Sequence, residues 1–422
     1  MENILIKSAK VIYPGHELHD RIVDVHLKNG KVERIGESNS LNDDSAKVID
    51  AHGCYLSLGF FDLNVNFGEP GLETKETLLT GTAAAAAGGF TGVALQPNTK
   101  PPIHSRAEVS YIVNQAKGLL VDVYPLGAIS HNREGVDLAE MYDMSLAGAV
   151  AFTDGDKSVA QAGLMSRALL YSKGFDALVF SFAEDSTVAG KAKMNEGVMS
   201  TYLGMKGNPN LAEELMVSRD LYLAAYNGAP IHFSTISTAG SISLIREAKS
   251  KGLQVTCDVA AHHLVLSDEA VADFDSNYKV KPPLRTVEDI TALHEGLKDG
   301  TIDAIVSQHT PHEVEYKRVE FEVAKYGIIS LQTLLPMLLN TGLPLDLIVQ
   351  KLTIGPREVL KIKLPIFEES ELANLVLFDP NELWHFNGRN NRSKSSNSPY
   401  LNQKLKGKVL LTVNNGLTYL NE

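Results

Sequence analysis

The polar side chains most able to do chemistry in this sequence stand at the ends of apolar runs. Residues 58–71, LGFFDLNVNFGEPG, begin apolar, then place Asn64 and Asn66 on one side, and end in the turn Glu69-Pro70-Gly71. A buried strand that ends this way delivers side chains to the mouth of a barrel. Other apolar runs end in Asp154, in Glu184-Asp185, in His262-His263, and in Gln308-His309 followed by His312. Imidazole and carboxylate groups bind zinc and carry protons, whereas a side-chain amide is a weak neutral ligand.

The elements that must position these groups alternate between strands and helices. Eight strand-like apolar runs occur, at 58–65, 91–98, 121–129, 148–154, 177–185, 230–237, 254–263 and 303–312. Helix-length segments separate most of them, and Gly88, Gly228 and Gly252 stand where helices are expected to end. This alternation predicts a (β/α)8 barrel over residues 58–364, with a doubly wound open sheet as the competing architecture.

Both ends of the chain read as short strands joined by turns. Lys28-Asn29-Gly30 separates two alternating runs, which indicates a β-hairpin. Strand-like runs return after residue 365 and flank a long polar loop rich in Asn and Ser. We therefore predict that residues 1–57 and 365–422 pair into one composite β-sandwich beside the barrel.

The composition limits the class of protein. The chain has 422 residues, 44% hydrophobic and 21% charged, and a net charge of −12. This charge argues against nucleic acid or an anionic membrane as a partner, and no apolar run approaches the roughly 20 residues that cross a bilayer. Cys54 and Cys257 form no CxxC motif, and the N-terminus reads as strand and turn rather than a signal peptide. We expect a cytoplasmic protein in a reducing compartment.

Several motifs give the chain a family likeness. GFFDLNVNFGEPG resembles the GFIDLHVHFREPG of dihydroorotases, and the likeness continues through KPPLR at 281–285, DGTIDAI at 299–305, HTPH at 309–312 and KSSNSPY at 394–400. The resemblance covers nearly the whole chain in order. It implies an amidohydrolase-type barrel, in a family that opens and closes a cyclic amide with one or two zinc ions.

The resemblance also implies that the metal site is degenerate. Positions that hold metal in the family fall on one retained carboxylate, Asp154, and on five residues poorly suited to zinc: Asn64, Asn66, Phe182, Thr235 and Gln308. Gln308 also falls on the general base, and an amide cannot take up that proton at neutral pH. The arginine that clamps the substrate carboxylate becomes Gly68, and an asparagine becomes Lys281, while Asn98 and His312 remain as residual substrate-binding positions.

Each surviving group has alternative roles. Asp154 either binds a cation or accepts hydrogen bonds from loop backbone. Lys281 either holds an anion or pairs with Glu69 or Asp154. His262 and His263 are expected in packing, and His309 and His312 either shape a loop or bind an anion. Glu184 and Asp185 face opposite ways and are expected to be structural.

The first functional hypothesis is a dihydroorotase-like protein of pyrimidine biosynthesis without catalytic activity or cofactor. The resemblance suggests that it is a structural or regulatory partner of aspartate carbamoyltransferase, in a homo- or hetero-oligomer. The alternative is an active dihydroorotase, which interconverts dihydroorotate and N-carbamoyl-L-aspartate. It would need zinc in a site rebuilt from Asp154, His262, His309 and His312, or groups donated by a partner. A third hypothesis is a small-molecule sensor in which Lys281 and Asn98 bind an anion without turnover.

Overall fold

The computed structural model describes residues 3–421. In chain order, the strands are β1 (Asn3–Val11), β2 (Ile22–Lys28), β3 (Lys31–Glu37), β4 (Lys47–Asp50), β5 (Tyr55–Leu58), β6 (Phe60–Val65), β7 (Phe90–Leu95), β8 (Asp122–Gly127), β9 (Ala151–Phe152), β10 (Val179–Phe182), β11 (Met194–Asn195), β12 (Gly207–Asn208), β13 (Ile231–Ser234), β14 (Val255–Ala260), β15 (Ala304–Val306), β16 (Leu375–Phe386), β17 (Gln403–Asn414) and β18 (Leu417–Leu420). The α-helices are α1 (Leu78–Ala87), α2 (Arg106–Gln115), α3 (Met141–Ala147), α4 (Ala162–Lys173), α5 (Ser186–Ala189), α6 (Val198–Tyr202), α7 (Leu211–Asn227), α8 (Ala239–Ser250), α9 (Val287–Lys298), α10 (Leu334–Leu339) and α11 (Leu345–Val359).

Eight parallel strands form a nearly closed barrel, as the alternation predicts. Their order is β6-β7-β8-β9-β10-β13-β14-β15. The ring is completed by a parallel bridge between Val65 and His309, where the backbone amide of Asn66 donates to the His309 carbonyl at 2.8 Å. The barrel interior is filled by apolar side chains from these strands, including Phe61, Leu63 and Phe180. The open-sheet alternative is therefore wrong.

The strands are buried on both faces, which explains why they read as continuous apolar runs. Every residue of β6 and β7 is buried, between the interior and the surrounding helices. The alanine-rich run becomes α1, begun by Thr77, whose side chain accepts the Thr80 amide. Small side chains let this helix lie close to the barrel wall.

The two chain ends meet in one separate sheet. Its order is β18-β17-β16-β5-β1-β2-β3, with β4 also paired to β1, and β5 from the N-terminal part runs antiparallel to β16. The sheet has its own apolar cluster, which contains Ile4, Val25 and Leu411. The expected hairpin turn is present, because Asn29 and Gly30 have φ of +55° and +74° between β2 and β3.

Gly59 carries the chain from this sheet into the barrel. It lies between β5 and β6, and a Cβ there would come within 2.0 Å of the Thr91 side chain. Only glycine allows this approach. Leu58 therefore belongs to the separate sheet, whereas the first apolar run had been assigned to the barrel as a whole.

Most barrel strands are shorter than the predicted runs. The run at 303–312 contains only β15, Ala304–Val306, and its remainder is loop. The polar loop between the last two strand-like runs was expected to extend over residues 387–407, but its last five residues, 403–407, lie within β17. Among residues 3–421 no helix is both long and apolar enough to span a membrane.

Candidate degenerate active site

The site lies where the barrel strands end at their carboxyl side. Beneath it, the fully buried Asp62 accepts hydrogen bonds from the backbone amides of Asn64 at 2.9 Å and Ser307 at 3.0 Å. Burial raises the pKa of Asp62 to about 7. This carboxyl group links β6 to the segment that follows β15. It thereby fixes the backbone from which the side chains of Asn64 and Gln308 extend.

Asn64 contacts Thr235, another position that the sequence resemblance predicts to have lost a metal ligand. Its side-chain amide donates to Thr235 Oγ1 at 3.1 Å, and Ser234 Oγ lies 3.4 Å away. The Thr235 backbone amide donates to Asp258 at 2.6 Å, and Asp258 also binds the His232 imidazole at 2.9 Å. Neutral hydrogen bonds thus connect two strand ends that would need to present metal ligands.

Asn66 is held in a similar way. Its amide nitrogen donates to Thr310 Oγ1 at 3.0 Å and to the His309 carbonyl at 3.2 Å. Its side-chain oxygen accepts the Asn98 amide at 2.7 Å. The polar atoms of Asn66 are therefore engaged by protein groups. Asn98, the residual substrate-binding position, is engaged by Asn66 through its amide nitrogen.

Phe182 contributes an aromatic ring at a position where the sequence resemblance predicts an imidazole. The Lys281 ammonium lies 5.1 Å from the centre of this ring, within the range of a cation–π contact. Lys281 pairs with Glu184 at 3.0 Å, so the expected pairing with Glu69 or Asp154 is not formed. The neighbouring Asp185 caps α5, which agrees with a structural role for both carboxylates.

Asp154 is directed into backbone rather than toward an open site. Its Oδ1 accepts the amides of Ile129 and Ser130, each at 3.0 Å, and its Oδ2 accepts the Ser130 hydroxyl at 2.5 Å. The side chain is buried, and burial raises its pKa. Of the two expected roles, the contacts match loop stabilisation.

The strand-8 end is shaped by hydrogen bonds as well. Gln308 donates its side-chain amide to the Lys281 carbonyl at 2.8 Å. His309 accepts the Ser330 amide at 3.2 Å and lies 3.4 Å from the buried Glu76. His312 Nε2 donates to the Tyr326 carbonyl at 2.9 Å. Both histidines thus make the contacts expected of a loop-shaping pair.

His262 and His263 are completely buried beside each other, with ring centres 4.6 Å apart. His263 donates Nε2–H to the Pro282 carbonyl at 3.1 Å, while within residues 3–421 neither ring nitrogen of His262 has a hydrogen-bond partner. Burial lowers the pKa of both imidazoles, that of His263 to about 4. They are neutral packed side chains.

The loop at Gly68 leaves no space for a side chain at this position, and so none for an arginine that could bind a carboxylate. A Cβ at this position would come within 2.0 Å of the Leu72 carbonyl oxygen, and the Leu72 amide donates to the Gly68 carbonyl at 2.7 Å. An arginine here would require the backbone to move. The carboxylate-binding fork is therefore excluded by the loop conformation as well as by the residue type.

Two of the substituted positions keep an unusual backbone. Thr235 and Gln308 have φ of +57° and +51°. Asn, Asp and His adopt this left-handed region more readily than most residues, and a β-branched residue there is an outlier. Such conformations cluster at functional sites. The backbone at these two strand ends has a left-handed conformation that suits Asn, Asp or His better than the Thr and Gln present.

These residues do not fit zinc. The cavity they enclose is about 60 Å³ and is lined by amides, hydroxyls, Phe182, the ammonium of Lys281 and one carboxylate, Asp156, which is already paired with Arg133. Within residues 3–421 no three His, Cys, Asp or Glu side chains are grouped to hold a metal ion. A cation at this place would meet neutral oxygens, the positive charge of Lys281 and a single carboxylate that already has a partner.

Sequence reasoning did not identify the charges at the outer mouth. Lys75, Arg133, Lys157 and Lys325 line a wider opening above the small cavity. Each follows a barrel strand, Arg133 in a short 3-10 helix and the three lysines in loops, so a basic residue after several strand ends was the available signal. Sequence reasoning also did not identify Glu76, whose carboxylate contacts both His309 and residues 393–394.

Comparison with known proteins places this site in a family context. A family model described as dihydro-orotase-like matches residues 54–241. The chain is 43% identical over 419 residues to proteins named dihydroorotase from Geotalea daltonii and from Geobacter sulfurreducens, covering 98% of this chain and 98% of each relative. The similarity thus extends through the barrel and both chain ends.

Solved structures show the same fold at lower identity. An L-hydantoinase (dihydropyrimidinase) from Arthrobacter aurescens superposes with a TM-score of 0.85 at 24% identity, covering 100% of this chain and 96% of that one. A D-hydantoinase (dihydropyrimidinase) from a Thermus species gives 0.80 at 18% identity, covering 99% and 95%. These likenesses show that the chain shares the fold of the two hydantoinases.

Proposed function

Since the chain belongs to the dihydroorotase family, we propose that it is a dihydroorotase-like protein of pyrimidine biosynthesis that does not hydrolyse the cyclic amide. The observation that carries the proposal is the contact between Asn64 and Thr235. Two positions that correspond to metal ligands satisfy each other with neutral groups. Asp154, the retained carboxylate, is engaged by the backbone of the 129–130 loop.

Loss of chemistry is also supported by the general-base position. Gln308 is an amide that donates to the Lys281 carbonyl, and it cannot accept a proton from water at neutral pH. With the ligands, the base and the carboxylate clamp replaced together, zinc-dependent activation of water has no residues to support it here.

A retained fold without hydrolysis suits a structural or regulatory subunit. We propose aspartate carbamoyltransferase as the partner, in line with the family resemblance, with the chain in a homo- or hetero-oligomer. Purification of the native complex from its own cells, followed by mass spectrometry and sedimentation, tests this. Recovery of the chain without a transcarbamoylase contradicts the partner proposal. It does not affect the proposal that the chain does not hydrolyse the cyclic amide.

The second candidate is an active dihydroorotase. The observation in its favour is the 43% identity over 98% of the chain with proteins of that name. The rebuilt site it requires would join Asp154, His262, His309 and His312, yet these side chains face separate partners: loop backbone, packed interior, Glu76 and the Tyr326 carbonyl.

Turnover of dihydroorotate in both directions, with added zinc, separates the two candidates. The protein is produced in a host that lacks its own dihydroorotase, and an Asp154→Ala variant prepared identically serves as a second control. We expect no turnover above this control. Turnover in the unmodified chain that disappears in Asp154→Ala establishes the active enzyme instead.

A further inference from the structure

The outer mouth of the barrel is a positively charged cavity in a negatively charged protein. The opening has a volume of about 500 Å³, within the range of small-molecule sites. Five cationic side chains line it, with one carboxylate, Asp156; the cations are Lys75, Arg133, Lys157, Lys281 and Lys325. The whole chain carries a net charge of −12, so this local excess runs against the overall balance.

Part of this positive charge is compensated within the protein. Arg133 pairs with Asp156 through its guanidinium, and Lys281 pairs with Glu184 at 3.0 Å. Lys157 donates to the Arg133 carbonyl at 3.2 Å, which leaves its charge without a carboxylate. These contacts hold the cations in place around the opening.

Lys75 and Lys325 are different. Within residues 3–421 neither ammonium makes a hydrogen bond or has a carboxylate oxygen within 4.0 Å, although both line the cavity. Lys75 is partly buried, so its charge is held there at some cost in hydration. The carboxylates of Glu313 and Asp156 are near enough to favour this charge, but neither lies within 4.0 Å of the ammonium, so an external anion would offset the remaining cost.

The type of cation indicates the type of anion. A planar carboxylate is best bound by a free guanidinium fork, but Gly68 provides none and Arg133 is already paired. The remaining groups are ammonium ions, which act as point charges and suit phosphate. A single carboxylate would neutralise one of them, whereas a phosphate carries about −1.5 to −2 at neutral pH.

We propose that this cavity binds a small organic phosphate whose phosphoryl groups carry two or more negative charges. The ligand is held chiefly by Lys75, Lys325 and Lys157. The site opens directly above the small cavity formed by Asn64, Phe182 and Gln308, and the two share lining residues that include Asn66, Asn98 and Lys281. It does not depend on whether the chain hydrolyses dihydroorotate, because binding is measured without turnover.

Isothermal titration calorimetry with inorganic pyrophosphate at low salt tests the proposal on the full chain. We expect binding that weakens with added salt, and that weakens roughly fivefold in Lys75→Gln and again in Lys325→Gln. Lys406→Gln removes the same charge from an exposed position on β17 and should bind like the unmodified chain. Circular dichroism confirms that each variant is folded.

Three outcomes overturn the proposal. The first is no measurable binding of pyrophosphate at millimolar concentration. The second is equal weakening in Lys406→Gln, which would mean attraction by charge alone and no defined site. The third is succinate binding as tightly as pyrophosphate, which would make the ligand a carboxylate.

Discussion

The side-chain amide of Asn64 donates a 3.1 Å hydrogen bond to Thr235 Oγ1, across 171 residues of sequence. The resemblance of the sequence to dihydroorotases predicts that both residues stand at positions that hold metal in that family. The hydrogen bond joins the end of β6 to the residue that follows β13. The following predictions test what these substituted groups contribute.

The Asn64–Thr235 contact should be measurable as a coupling energy. We expect Asn64→Ala and Thr235→Val each to lower the free energy of unfolding, since each leaves a buried polar partner unsatisfied. The double variant should lose less than the sum, with a coupling of about 1 kcal/mol. Urea denaturation of the four proteins measures this, and strict additivity would show that the contact contributes nothing.

Restoring the ligand types should restore metal binding. The restored variant carries five substitutions: Asn64→His, Asn66→His, Phe182→His, Thr235→His and Gln308→Asp. We expect stoichiometric zinc after dialysis, because imidazole and carboxylate replace neutral oxygens and histidine tolerates the left-handed backbone at position 235. Elemental analysis by mass spectrometry makes the measurement.

The matched control for this restoration is the variant that carries the four histidine substitutions but keeps Gln308, which should hold less zinc because it lacks the restored carboxylate. The unmodified chain should hold none. Stoichiometric zinc in the unmodified chain after dialysis would contradict the fit argument made from its side chains.

Stability at low pH should depend on His312. Burial, together with the nearby Lys75, lowers the pKa of His312 from 6.5 to about 4. Between these values the unfolded chain takes up a proton that the folded chain does not, so this stability is present above pH 6.5 and lost as the pH falls. In His312→Gln the loss should be smaller, by up to about 1.4 kcal/mol per pH unit.

Urea denaturation at a series of pH values from neutral to about 4.5 checks the His312 prediction. Glutamine can still donate to the Tyr326 carbonyl, so the variant removes the titration while keeping a donor. His52→Gln, at an exposed turn, is the control and should follow the unmodified chain. Parallel pH profiles for all three proteins would mean that His312 does not titrate differently on unfolding.

Glu76 should hold the 387–402 segment against the barrel. Its carboxylate accepts the Lys394 amide at 3.0 Å and the Ser393 hydroxyl, and it lies 3.4 Å from His309. Although burial opposes the charge, the contacts with His309, Ser393 and Thr80 together lower its pKa. Glu76→Gln should cost about 2 to 3 kcal/mol of unfolding free energy.

Limited proteolysis gives a local readout of the Glu76 contact. We expect faster cleavage within 387–402 in Glu76→Gln, because the segment loses its buried anchor. Glu371→Gln removes a charge from an exposed residue and should be cleaved like the unmodified chain. Unchanged cleavage in Glu76→Gln would show that other contacts hold the segment.

The sequence predicted the architecture well because local patterns carry it. Eight runs of buried residues alternate with helices, and each run overlaps one barrel strand. Their lengths were overestimated because apolar residues continue past the last hydrogen-bonded pair into the loops. The closure of the barrel is a separate matter, because the bridge between Val65 and His309 joins segments that are far apart in the chain.

By itself, the sequence determined which chemical groups stand at the strand ends, and its resemblance to dihydroorotases predicted that imidazoles are replaced at 64, 66, 182 and 235 and a carboxylate at 308. Only the tertiary structure decided what the replacements do: that Asn64 bonds Thr235, that Asp154 serves the 129–130 backbone, and that Lys281 pairs with Glu184. The physical reason is that residue type is a local property. A hydrogen bond or an ion pair depends on which distant strand ends the closed barrel brings within about 3 Å.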